Sequence, residues 1–158
     1  MANITIEYMI LIPVLILQIF LLPYATGLVM NYWTTSNETL ALKDATIHLG
    51  SSIQQLYFFL NNPSVSSGTV TNSLGIPKTL GNYAYIGNAT LTSISGSSSG
   101  KVLVLTLKYM GNPISTTAQV TLGQNTQWLN STFMSNSTSA CINAFKDSNN
   151  VIWLSFKT

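Results

Sequence analysis

The sequence is poor in the residues from which most protein chemistry is built. It has no arginine, one histidine (His48) and one cysteine (Cys141), and charged residues make up 6% of its 158 positions. Soluble domains typically carry about 25%. The positive charges are Lys43, Lys78, Lys101, Lys108, Lys146 and Lys157; the acids are Glu7, Glu38, Asp44 and Asp147. Six scattered lysines and a net charge of +2 argue against a nucleic-acid partner, which requires clustered basic residues to neutralise phosphates. A single cysteine excludes an intramolecular disulfide and reads as a small buried apolar residue. His48 has no second His, Cys or paired acid at ligand spacing, which argues against a metal site. There is no Gly-x-Ser-x-Gly elbow and no phosphate-binding glycine motif, and nothing places His48 beside a nucleophile. No catalytic residue, metal ligand or cofactor site is therefore expected, and the chain reads as a non-enzyme.

What is abundant is of two kinds. Ser, Thr and Asn supply 53 residues, so hydroxyls and amides keep the surface wet where charge does not. Five Asn-x-Ser/Thr sequons occur. Asn3 sits at the edge of an apolar stretch, whereas Asn37, Asn88, Asn130 and Asn136 are the candidate acceptors of N-linked glycans on an extracellular surface. The second abundance is apolar. Hydrophobic residues reach 46%, concentrated from Ile4 to Met30, where Glu7 is the one charge. At about 1.5 Å per residue, these 27 residues form a helix of roughly 40 Å, enough to cross a bilayer.

The stretch is not written like a passive anchor. Glu7 lies inside it, Pro13 and Pro23 interrupt it, and no basic residue flanks its start. A buried carboxylate needs a partner. The nearest formal positive charge is an α-amino group, its own or that of a neighbouring copy, and the helix N-terminus itself also favours an anion. Each proline removes a helical hydrogen bond and loosens the helix locally. Gln18, Thr26 and Gly27 offer polar or small positions for close helix packing. Tyr32 and Trp33 suit a membrane interface. A helical period resumes at Leu42, Ala45, Leu49, Ile53, Leu56 and Leu60, with Lys43 and Asp44 on the solvated side. Asn62 before Pro63 ends the helix. The first domain is thus residues 1–62, one long helix.

Residues 63–158 read as a β-domain. Val65–Gly81 is rich in loop residues. Short strands are expected at Asn82–Ile86 and Asn88–Ile94, followed by a hairpin loop at Gly96–Gly100. Lys101–Tyr109, apolar on both faces, reads as a central strand. Ile114–Leu122 alternates as an outer strand, and Ala140–Phe145 and Val151–Phe156 close the sheet. Trp128, Leu129 and Phe133 are expected in the core. Tyr57, Phe58, Phe59, Tyr83, Tyr85 and Trp153 are assigned to core packing by default, although aromatics of this kind also stack on sugars. The fold class is α+β: a long N-terminal hydrophobic helix and a small antiparallel β-sandwich or barrel-like domain.

The run from Asn3 to Leu11 (NITIEYMIL) resembles the N-terminal motif of the archaeal type IV pilin-like proteins, the class III signal peptide family. Asn3 stands where that motif has Gln, Thr5 where it has Ser, and Glu7 and Leu11 match. Ile12-Pro13-Val14-Leu15 is similar to Tad-type pseudopilins. The resemblance covers about the first thirty residues. It implies a subunit that is held in the membrane by its helix, cleaved before the motif by a class III signal peptidase, and assembled by an ATPase and a membrane platform protein into an extracellular helical homopolymer for surface attachment. It also implies assembly roles for Glu7, Leu11, Pro13, Leu15, Gln18, Pro23 and Gly27. No basic n-region precedes the motif. An archaellin-type motility filament subunit and a minor pseudopilin are related alternatives. A single-span membrane-anchored surface glycoprotein is an alternative of another class.

Overall fold

The computed structural model describes the backbone of residues 2–93 and 100–158, with side chains from Tyr8 onward. The expected hairpin loop from Gly96 falls, but for Gly100, outside the described residues, as do the side chains of Asn3 and Glu7. Helix α1 runs from Ala2 to Asn61 and continues through both Pro13 and Pro23. Its end is specified locally. Pro63 disfavours helical geometry at Asn62, and the Asn62 side-chain carbonyl accepts from the Ser64 amide at 3.0 Å. Lys146, almost fully buried, donates its ammonium to the carbonyls of Asn62 at 3.0 Å and Val65 at 2.9 Å. A cation at this end complements the helix dipole.

The chain divides into two compact units, Met1–Asn37 and Glu38–Thr158, so α1 contributes to both. In the second unit, eight strands follow the helix: β1 (Gly68–Ser73), β2 (Tyr85–Ser93), β3 (Lys101–Tyr109), β4 (Ser115–Leu122), β5 (Thr126–Trp128), β6 (Thr132–Met134), β7 (Cys141–Lys146) and β8 (Ile152–Lys157). They form two four-stranded sheets, β1-β7-β8-β5 and β4-β3-β2-β6. The class is α+β, as expected. The pairing is antiparallel except between β5 and β8, which run parallel with Gln127 opposite Trp153.

One core joins these parts. The α1 stripe Leu42, Ala45, Leu49, Ile53, Leu56 and Leu60 is buried together with Leu103, Leu105 and Leu107 of β3 and Ile142, Ile152 and Leu154 of the other sheet. Gly50 lets helix and sheet approach closely: a Cβ there would stand 3.0 Å from the Val120 side chain. Thr46 buries its hydroxyl by donating to the Leu42 carbonyl and lying 2.7 Å from the Thr116 hydroxyl. The sheets meet where the rings of Phe133 and Phe156 contact edge to face at 4.7 Å. Phe133 crosses the strand over Gly87, where any Cβ would lie 2.1 Å from its ring.

Several strand expectations change. Residues 82–84 are not a strand: Leu80 and Tyr83 exchange backbone hydrogen bonds around Gly81, at φ +61°, and close a tight turn. The two short strands are one, because Gly87 serves close packing and does not break β2. β1 lies in the segment read as loop; its composition is polar because it is an exposed edge strand. β5 and β6 occupy the segment of Trp128 and Phe133, for which core residues but no strands were expected. Leu129 is half exposed and no core residue, whereas Phe133 is buried. Phe58 and Phe59 are exposed, and Trp153 is half-buried on the far side of β8 from its core residues Ile152, Leu154 and Phe156.

Candidate functional site

No side chain from Tyr8 to Asn37 is buried, and none carries a charge. Up to Met30, only Gln18, Thr26 and the tyrosines Tyr8 and Tyr24 bear a polar side-chain group. Nineteen large apolar side chains between Tyr8 and Trp33 are about half exposed or more. Burying such a side chain is worth about 1.5–3 kcal/mol, so this surface holds tens of kcal/mol of unrealised burial. A helix apolar on every side belongs inside a protein assembly or a membrane. By length and composition α1 is able to cross a membrane.

Three threonine hydroxyls here are satisfied within the helix. Thr26 donates to the Leu22 carbonyl, and Thr34 and Thr35 donate to the carbonyls of Met30 and Asn31 at 2.9 Å. Such bonding back to residue i−4 removes the need for water at these hydroxyls.

One side of the segment forms an open apolar groove of about 620 Å³, lined by Pro13, Ile16, Leu17, Phe20, Leu21 and Tyr24. The helix places Leu11, Leu15 and Gln18 on the opposite side. Leu11, Pro13, Leu15, Gln18, Pro23 and Gly27 are all exposed, and Pro13 alone among them lines the groove. The remaining groove residues were missed by the motif, although their spacing of three and four is visible in the sequence. Gly27 has open space around its Cα, so no contact within the chain demands its smallness.

The second unit presents its own helix surface. Leu40, Ile47 and Phe58 are each about half exposed or more. Spaced seven and eleven residues apart, they fall on one line along α1, away from the buried stripe. At the start of this unit the Tyr109 hydroxyl donates to the Glu38 carbonyl at 3.0 Å, and the Asn112 amide reaches the Glu38 carboxylate at 3.4 Å. Burial, with the Glu38 carboxylate second, raises the Tyr109 pKa. Burial, with neighbouring Tyr109 second, pushes that of Tyr85 to about 12.

The four sequon asparagines are exposed. Asn37 is on α1, Asn130 lies between β5 and β6, and Asn136 follows β6. Asn88 sits in mid-strand, paired with Thr106 on one side and Thr132 on the other. Asn88 and Asn130 border one shallow groove with Thr90 and Thr132. His48 is exposed on α1, near Gly75. Among the described residues, no three His, Cys, Asp or Glu side chains stand together. No protein-family model, curated protein or solved structure matches the chain.

Proposed function

We propose that this protein is the structural subunit of an extracellular type IV pilus-like filament. Its first unit is held in the membrane before assembly and then packs against copies of itself. The observation that supports this reading most is the uncharged exposed surface of Tyr8–Asn37, beside a second unit that closes a core of its own. The apolar line at Leu40, Ile47 and Phe58 extends the surface available to neighbouring helices. The β-unit, rich in hydroxyls and carrying three of the four exposed sequons, at Asn88, Asn130 and Asn136, forms the solvent-facing coat with N-linked glycans. In this reading Glu7 pairs with an α-amino group of its own or a neighbouring copy, and surface attachment is the filament's role. The protein has no catalytic role and needs no cofactor.

A second reading, a single-span anchored surface protein, is favoured by the one feature that α1 is long and apolar enough to span a bilayer. The two separate cleanly. Material sheared from cells, imaged by negative-stain electron microscopy and identified by N-terminal mass spectrometry, is expected to contain filaments of this chain. Leu15→Arg and Ile16→Asp are each expected to abolish them. A chain that stays monomeric in detergent-solubilised membranes, or filaments unaffected by both substitutions, would overturn the filament reading in favour of the anchor.

A further inference from the structure

The outward face of the sheet β1-β7-β8-β5 carries an arrangement that neither the core nor the assembly surface uses. Alternation along β8 turns Ile152, Leu154 and Phe156 inward and Trp153 and Ser155 outward. Strand register places Phe145 directly beside Trp153, with Gln127 on the other side. One step along the strands, Asn143 stands beside Ser155. Leu129, whose amide bonds to the Leu154 carbonyl, borders the same face. Phe145 is 40% exposed and Leu129 50%. At about 4.8 Å between strands, the row of aromatic and amide residues is roughly 10 Å wide.

An exposed Phe145 beside a half-buried Trp153 on the outward face of the two central strands is not explained by folding, since polar side chains would serve there equally well. Among the described residues, Gln127, Asn143 and Ser155 spend no side-chain group on an intramolecular hydrogen bond. The patch therefore offers ring faces and free amide and hydroxyl groups together. The row itself contains no charge, and an ammonium borders it at Lys157, exposed and outward on β8 two residues beyond Ser155. The Asp147 carboxylate, two residues beyond Phe145, is turned to the backbone amides of Asn149 and Val151 at 2.8 and 2.9 Å. A polycation would find no carboxylate in the row, and a polyanion only the single ammonium of Lys157 at its border. The ligand that matches is neutral, with apolar C–H faces to stack and hydroxyls to pair. The outward face of the other sheet has no such ring: its matching row is Thr117, Thr106, Asn88 and Thr132.

We propose that this face is a binding platform for a neutral polysaccharide. Sugar rings stack on Trp153 and Phe145, and their hydroxyls pair with Gln127 and Asn143. The inference stands apart from the filament reading, because it requires only the second unit's surface. It is tested by co-sedimenting the full-length protein, in the state in which it is isolated, with insoluble cellulose, chitin and starch, and with alginate as an acidic comparison. Depletion by at least one neutral polysaccharide is expected, reduced at least tenfold by Trp153→Ala and by Gln127→Ala/Asn143→Ala, and retained by Trp153→Tyr and Gln119→Ala. Gln127 is exposed and Asn143 half-buried on the outward face, and neither side chain is bonded within the molecule, so their loss of binding is readable even if Trp153→Ala folds poorly; circular dichroism confirms each variant's fold. Three results would overturn the proposal: no depletion by any neutral polysaccharide, depletion by alginate alone, or binding untouched by the amide double variant. A change in self-association on substituting Trp153, without polysaccharide binding, would reassign the face to contacts between copies.

Discussion

The two parts of α1 make an instructive pair. Both are helical and both carry apolar residues at regular spacing, yet they meet their surroundings differently. From Glu38 onward the helix buries one stripe, Leu42 to Leu60, beneath its own sheets. From Tyr8 to Asn37 it buries nothing, and its apolar residues face every direction. The first pattern is solved by one chain. The second has no solution in one chain surrounded by water, because a single covering sheet or helix would reach only one side of it. Thr46 and Thr26 show the contrast in miniature. Each bonds back to the carbonyl four residues earlier, but Thr46 does so inside a core and Thr26 on an exposed surface.

The largest expected break of this comparison is a pair of identical substitutions. Leu49→Ala should lower the stability of the second unit by about 2–5 kcal/mol through a buried cavity, read as a fall in its denaturation midpoint. Leu15→Ala should leave that midpoint unchanged and, under the proposed filament reading, act on filament stability alone. Equal effects on the midpoint would show that the two units are not independent. Glu38–Thr158 produced by itself should, for the same reason, fold and stay monomeric in sedimentation, whereas the full chain should not.

Next in size, Gly87→Ala drives a methyl into the Phe133 ring and should cost about 1–3 kcal/mol, while Gly27→Ala, with open space around it, should leave the second unit's midpoint unaffected. Thermal melts of both variants decide this. Lys146→Met strips the helix end of its donor to two carbonyls and should cost about 1–3 kcal/mol, measured by urea titration.

The smallest effect is a pH dependence. An unfolded tyrosine ionises near pH 10, whereas Tyr85 in the fold holds its proton to about 12. Its raised pKa means that the contribution is complete below pH 10 and is lost as pH climbs from 10 to about 12, where the unfolded state gives up the proton first. Tyr109 moves the same way. The urea midpoint should therefore fall across that window, and Tyr85→Phe should flatten the fall.

How much of this was legible in the sequence follows from which forces are local. The helix, its end at Asn62-Pro63 and the buried stripe were readable because spacing and proline sterics act over a few residues. β3 was readable because a strand covered on both sides is apolar on both. β1, β5 and β6 were not: they are short or exposed, and their pairing partners lie far away in sequence. Gly87 misled because glycine's local meaning, a break, differs from its role here, a gap for a ring arriving from residue 133. Trp153 was assigned to the core by residue type alone; only the register of β8 reveals that it faces out. The family resemblance pointed to Leu11, Pro13 and Leu15, but the groove beside Phe20 and Tyr24 emerged only from the helix surface.

The position of β8 bears on how the protein is made. This strand is the last of the eight in sequence, yet it lies inside its sheet, between β7 and β5. Synthesis supplies α1 first, so its buried stripe is ready roughly a hundred residues before the strand that completes its covering. Until residue 157 has been delivered, that sheet remains two fragments, and Leu42 to Leu60 have only a partial lid. During this interval the nascent chain exposes both apolar surfaces of α1 at once and is vulnerable to premature self-association. Such a chain calls for a holding step that ends only when the final strand docks.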